Sequence, residues 1–144
     1  MTLEQAVASS TAIVIGSPMP GRANVDELVM LGHTVDSIQR LVLTELVDVR
    51  YLKGKGPASI TFARFSSPCR EYLVEGEGPV LMLLRPVHGA PHIFVNASSV
   101  FHFDLRGDVV HIVSPNAGPM RTLEGIPADE LIGLIWKSVR EQAQ

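Results

Sequence analysis

Apolar and polar residues alternate along this chain in short runs, and most of the runs have the length and period of strands. Ala12–Gly16 (AIVIG) is apolar at every position. That predicts a strand over Thr11–Gly16 with both faces buried. Ile38–Leu52 is long for a strand, and its apolar residues change parity along the run. Leu41, Leu43, Val47, Val49 and Tyr51 share one side, Glu45 interrupts it, and Val42, Leu46 and Leu52 occupy the other. A long strand that bends to serve two sheets, with a bulge near Glu45, fits this mixture. Lys53–Pro57 then forms a turn, and Ser59–Phe65 alternates with Ile60 and Phe62 on one side. A second turn at Glu75–Pro79 feeds Val80–Leu84 (VLMLL), which reads as a central strand. Pro86–Pro91 closes that unit, and Ile93–Val95 is a further short strand.

The late part of the chain predicts a hairpin. A two-residue turn at Arg106-Gly107 pairs Leu105 with Asp108, Phe103 with Val110 and Phe101 with Ile112. The aromatic and aliphatic residues of those pairs then face the core, and His102, Asp104 and His111 fall on the outer face. Ser114–Gly125 is loop-like.

A helix is predicted at each end. Thr2-Leu3-Glu4-Gln5 matches a capping box, with Leu3, Ala6 and Val7 on one face of a helix ending near Ser9-Ser10. Pro127 opens the second helix, with Asp129 and Glu130 at its positive end and Lys137 and Arg140 towards its negative end. Leu131, Leu134, Ile135 and Val139 are expected to pack on the barrel, with Trp136 beside them. Ser17–Ser37, broken by Pro18, Pro20, Gly21 and Gly32, reads as a long connection. Asp26–Leu31 within it is either a helical turn or a short strand. No internal repeat or low-complexity tract is present. The elements predict one domain over 1–144, α+β and mainly β. Its centre is an antiparallel OB-like barrel of about five or six strands.

Composition narrows the function. The 144 residues carry a net charge of −3, which disfavours a partner held by phosphate contacts. With 46% hydrophobic and 19% charged residues the chain is expected to fold rather than stay disordered. Its apolar runs are shorter than a membrane span. Cys69 is the single cysteine, so no intrachain disulfide forms. The first residues carry no signal-peptide pattern. The expected location is extracellular or cell-envelope if a leader was removed, and cytoplasmic otherwise.

Several residue groups carry candidate chemistry. His102, Asp104 and His111 on one hairpin face are metal-ligand candidates or a pH-responsive group, set against an ordinary polar surface. His88 and His92 flank a turn. Cys69 beside Arg70 has a cationic neighbour that favours the thiolate, but no base is placed beside it. Arg106-Gly107-Asp108 spells an adhesion tripeptide that the turn itself explains. Glu71, Glu75 and Glu77 crowd one loop, with Asp48 elsewhere. Neither Gly54-x-Gly56 nor Gly76-x-Gly78 opens a helix as a phosphate loop does. No catalytic residues, cofactor or metal are assigned.

The segments LEQAVASSTAIVIG (Leu3–Gly16), LVDVRYLKG (Leu46–Gly54), SITF (Ser59–Phe62) and YLVEGEGPVLMLLRP (Tyr72–Pro86) follow one another in a characteristic order. FxFDxxGDVV (Phe101–Val110) and IPADELIGLIWKSVR (Ile126–Arg140) complete it. The series resembles bacterial extracellular or envelope domains with the OB fold of tissue inhibitors of metalloproteinases and netrin modules. That resemblance implies the barrel and a binding role. It does not imply zinc-chelating inhibition, because the N-terminal cysteine of true inhibitors is here Met1-Thr2. The expected function is a non-enzymatic binding or protein-interaction module. Ser17–Ser37 and Ser66–Glu77 would form its surface, and its partner would be a protein rather than nucleic acid. The alternatives are a small hydrolase using loop histidines or Cys69, and a subunit of a homo-oligomer through Met19, Met30 and Trp136.

Overall fold

Two strands bury both of their faces, and the domain is built around them. The computed structural model describes residues 1–19, 40–66, 78–100, 102–114 and 116–143, with the backbone alone at 40–42, 64–66 and 90. The strands are β1 (Ala12–Met19), β2 (Arg40–Lys53), β3 (Ile60–Ser66), β4 (Val80–Val87), β5 (Ala90–Asn96), β6 (His102–Asp104) and β7 (His111–Val113). Helix α1 (Leu3–Ser9) precedes them and α2 (Ala128–Gln142) follows, with 3₁₀ turns at Arg106–Asp108 and Gly118–Leu123. Ser114–Gly125, expected as loop, therefore contains a 3₁₀ helix that buries Met120.

The sheet runs β1-β2-β3-β5-β4 and returns to β1 through a β1–β4 ladder, which closes a five-stranded barrel. β6 and β7 extend the sheet from β4. The expectation of an antiparallel barrel is correct for every neighbouring pair except one, because β3 and β5 are parallel. Geometry requires this. A closed ring with an odd number of strands cannot alternate direction all the way round.

Val14, Leu46, Ile60, Phe62, Val80, Met82 and Leu84 fill the barrel. Ile13, Ile15, Leu81 and Leu83, the alternate residues of β1 and β4, face outward into a second core. There they meet Leu3, Ala6 and Val7 of α1, Leu131, Ile132 and Ile135 of α2, and Phe103, Val110 and Met120. A strand covered on both faces has no polar side, hence the unbroken apolar runs AIVIG and VLMLL.

β2 is the bent strand the sequence implied. Its first half pairs with β3, from Arg40–Ser66 to Leu46–Ile60, and its second half pairs with β1. One bulge lies at Asp48, three residues beyond Glu45, and a second register shift falls between Ile13 and Val14, opposite Leu52. Asp48 has φ +53, and the β1–β2 register shifts between Ile15 and Ser17. Before the bulge Leu46 points inward; after it Val49 and Tyr51 do. One residue in the left-handed region thus inverts the inside-outside parity of the strand. Gly16 lies across this bend, where a Cβ would stand 2.7 Å from Leu46 Cγ.

The turn after β2 ties barrel to helix. Lys53 Nζ donates at 2.8 Å to the Val7 carbonyl, which also accepts the Ser10 N–H at 3.3 Å at the end of α1. Gly54, at φ +78, lies against the backbone of Thr11, whose carbonyl oxygen would be 2.6 Å from an added Cβ. The capping box is present as expected: Gln5 N–H donates to Thr2 Oγ1 at 3.2 Å and Thr2 N–H donates to Gln5 Oε1 at 2.8 Å.

Helix α2 buries Ala128, Leu131, Ile132, Ile135 and Ser138. Leu134, expected in that stripe, is 38% exposed. Leu131-Ile132 and Leu134-Ile135 offer two apolar phases one turn apart. Ala128 and Ser138 share a face with Leu131 and Ile135, which leaves Leu134 beyond the edge of the contact.

Candidate functional site

The polar groups singled out in the β6–β7 hairpin do not sit where a two-residue turn would put them. The turn is longer, with Gly107 at φ +70 and Asp108 at φ +59. The register is His102–Val113, Phe103–Ile112 and Asp104–His111. Phe103 thus pairs with Ile112, not Val110. The backbone of Val110 is engaged elsewhere: its N–H donates to Ile126 O at 2.9 Å, and its carbonyl accepts from Gly125 N–H at 2.8 Å. The slip is by two residues, so parity survives and Phe103 and Val110 are both buried. Phe101 lies outside the described residues.

His102 and Asp104 are not on an outer surface. They are 2% and 4% exposed. Asp104 pairs with Val80 of β4 and so shares the face of the barrel interior, whereas Phe103 pairs with Leu81 and joins the helix-covered core. His111 is exposed. Its register partner is Asp104 and not His102, so the histidines are not directly opposed.

Asp104 is the most engaged side chain here. Its Oδ1 accepts from the Arg106 backbone N–H at 2.9 Å and from Nε at 3.1 Å. Its Oδ2 accepts from Nε at 2.8 Å and lies 2.7 Å from Nη2. Burial pushes the carboxyl upward, but the Arg106 bonds and charge, with a contribution from His102, bring it below the ordinary carboxylate value. The same hydrogen bonds raise the Arg106 guanidinium. Arg106 reaches Asp104 by lying over Gly78, where any Cβ would overlap its stem. An ionised, fully engaged carboxylate is an anchor for the turn and not a proton donor at neutral pH. It also commits the arginine of the Arg106-Gly107-Asp108 tripeptide to the protein itself.

Glu124 does comparable work at the sheet edge. Its Oε2 accepts from the Ile112 N–H at 2.6 Å, and its Oε1 lies 3.4 Å from His111 Nδ1. The carboxylate occupies a donor on edge strand β7 that another strand would otherwise use. His88 and His92 are both exposed around the β4–β5 turn, where Gly89 has φ +84. His88, His92 and His102 each have a bonding or electrostatic partner. Among the described residues no three His, Cys, Asp or Glu side chains come together as a metal group. Cys69, Glu71, Glu75, Glu77 and Met30 lie outside the described residues, as do 20–37 of the long connection and 67–77 of the second loop.

The remaining candidate surface is a row across the outside of the barrel. Met19 pairs with Glu45, Glu45 with Thr61, and Thr61 with Ile93. These residues therefore stand side by side on four adjoining strands. Met19 is 48% exposed, Glu45 and Thr61 are half-buried, and Ile93 is buried with Leu43 and Ala63. Ser59 Oγ donates to Glu45 Oε1 at 2.6 Å. Strand parity in β3 alone points to Thr61, but the row needs the register of all four strands and was not legible beforehand. No family model and no curated protein matches this chain.

Proposed function

We propose that this protein is a non-enzymatic binding module on an OB-like barrel, with a protein as its partner. The strand order β1-β2-β3-β5-β4, closed by β1–β4 and with β3 parallel to β5, carries the reading. OB barrels bind on the face of strands 2 and 3 and on the connections that flank it. In this chain that face holds the Met19–Glu45–Thr61 row, beside the point where β1 leads into residues 20–39. The row pairs an exposed thioether with a carboxylate and a hydroxyl, a mixture suited to a protein surface. The net charge of −3 disfavours a polyanion. Among the described residues no helix is long and apolar enough to cross a membrane. The resemblance to envelope domains of the metalloproteinase-inhibitor fold points the same way. We infer an extracellular or envelope location where a leader is removed, and a cytoplasmic one otherwise.

The test compares immobilised wild-type protein with a Met19→Lys/Thr61→Lys variant, using an envelope extract and quantitative mass spectrometry. A protein should be retained by the wild type and lost by the variant, with the melting transition unchanged. Equal retention by both moves the surface elsewhere. Hydrolysis of an ester or peptide panel that disappears in Cys69→Ala or His88→Ala would replace the binding module with the hydrolase.

A further inference from the structure

The face of α2 turned away from the barrel carries a glycine that nothing in this chain explains. Gly133 lies in the middle of the helix, where glycine is unfavourable relative to alanine. A Cβ added there would meet nothing within 4 Å. The turn, bulge and packing roles of Gly16, Gly54 and Gly78 are absent at this position. Open space above a helical glycine suits the close approach of something outside the chain.

The residues around Gly133 indicate what that is. Asp129, Gly133, Trp136 and Arg140 follow one another at spacings of four, three and four, so they form a single stripe. All of them are exposed, Trp136 by 46%. The stripe is complementary to itself when reversed. Asp129 with Arg140, and Gly133 with Trp136, are both centred on the same point between Leu134 and Ile135. A second copy related by a two-fold axis through that point sets each acidic residue against a basic one. It also sets each tryptophan over a glycine. Parallel pairing would instead put like charges together and leave the indoles colliding. Antiparallel helices further align opposite ends of their dipoles.

We propose that α2 is a homodimerisation helix, two copies pairing antiparallel with Trp136 of each seated on Gly133 of the other and Asp129–Arg140 ion pairs at both ends. The contact is isologous, as a two-fold dimer requires. A 15-residue helix is about 22 Å long, so the buried area is small and the dimer is a weak one of micromolar affinity. The inference does not depend on what the barrel binds.

Sedimentation equilibrium of the full chain over roughly 5–500 μM tests it. The expected mass rises from one chain to two. The emission of Trp136, the sole tryptophan, should shift to the blue in step. Gly133→Gln, a better helix former, should keep or raise the melting temperature while weakening the dimer at least about tenfold. Asp129→Lys alone and Arg140→Glu alone should each weaken self-association, whereas a mixture of the two variants should form a heterodimer, because both contacts again join opposite charges. A chain monomeric throughout the range overturns the proposal. So does a dimer indifferent to Gly133→Gln, or a mixture that stays monomeric.

Discussion

Gly54→Ala and Gly89→Ala together measure how firmly the turn after β2 is set against the start of β1. Both glycines have left-handed backbones, at φ +78 and +84. Alanine there costs about 1–2 kcal/mol, and about 0.4–1 kcal/mol of that is offset by a less flexible unfolded chain. Gly89→Ala meets nothing within 4 Å, so it should lose only the remainder, about 0.5–1 kcal/mol. Gly54→Ala adds a contact at 2.6 Å with the carbonyl oxygen of Thr11. That oxygen cannot retreat freely, because the Thr11 N–H is bonded to Leu84 O at 2.9 Å across the β1–β4 ladder. Forced overpacking of this kind costs about 1–3 kcal/mol. The total for Gly54→Ala is then about 2–4 kcal/mol, and the difference between the variants isolates the contact. Urea unfolding followed by far-ultraviolet circular dichroism gives both values, provided the slopes agree. In thermal melts the gap should be about 3–8 °C for a domain of this size. Equal losses in the two variants would refute the packing of Gly54 on Thr11.

Ile135→Ala should cost about 2–5 kcal/mol and Leu134→Ala less than about 0.5 kcal/mol, measured in dilute protein; similar losses would mean that α2 is docked in the other phase. The lowered carboxyl of Asp104 binds its proton less tightly in the folded than in the unfolded chain. Its stabilisation is therefore complete above the unfolded value of about 3.9 and is lost as pH falls through the folded value. Asp104→Asn should flatten that acid limb of melting temperature against pH, and an unchanged limb would remove the carboxylate from the account. Glu124→Ala should speed amide exchange at Ile112 about tenfold while shifting global unfolding by about 1 kcal/mol or less; unchanged exchange would show that the edge is protected by another group.

What the sequence disclosed depended on whether a residue acts within its own element. The Thr2–Gln5 capping box, the doubly buried AIVIG and VLMLL runs and the turn at Lys53-Gly54 are local, and they read correctly. The bend in β2 was visible as mixed parity, but its position was not. A single αL aspartate makes a bulge, and Asp48 resembles any other exposed acid in a strand. The parallel β3–β5 pair follows from the count of strands in the ring, which the apolar runs left open between five and six. At the hairpin, the choice between a two-residue turn and a longer one was decided by Gly125 and Ile126, which take the backbone of Val110. No pattern within the hairpin announces that competition. Burial of His102 and Asp104 was missed for a related reason. Strand alternation assigns them correctly to the face opposite Phe103, and only the pairing of β6 with β4 shows that this face is covered as well.

The ring is joined unevenly. Between β1 and β4 the ladder runs from Ala12–Leu84 to Gly16–Val80, and between β3 and β5 it consists of Thr61–Ile93 and Phe62–Phe94. The shorter joint is also the parallel one, the weaker kind per residue. It acts as a clasp and not a weld. If it is released, β3 still hangs on β2 and β5 on β4, so the ring becomes an intact open sheet while both helices remain docked on the far side. Such an opening would part Phe62 from Phe94 on the inner face and Ala63 from Ile93 on the outer one, while leaving the second core in place. The β3–β5 seam is therefore the weakest joint of the ring, on a defined side of the barrel, with Phe62 and Phe94 paired across it.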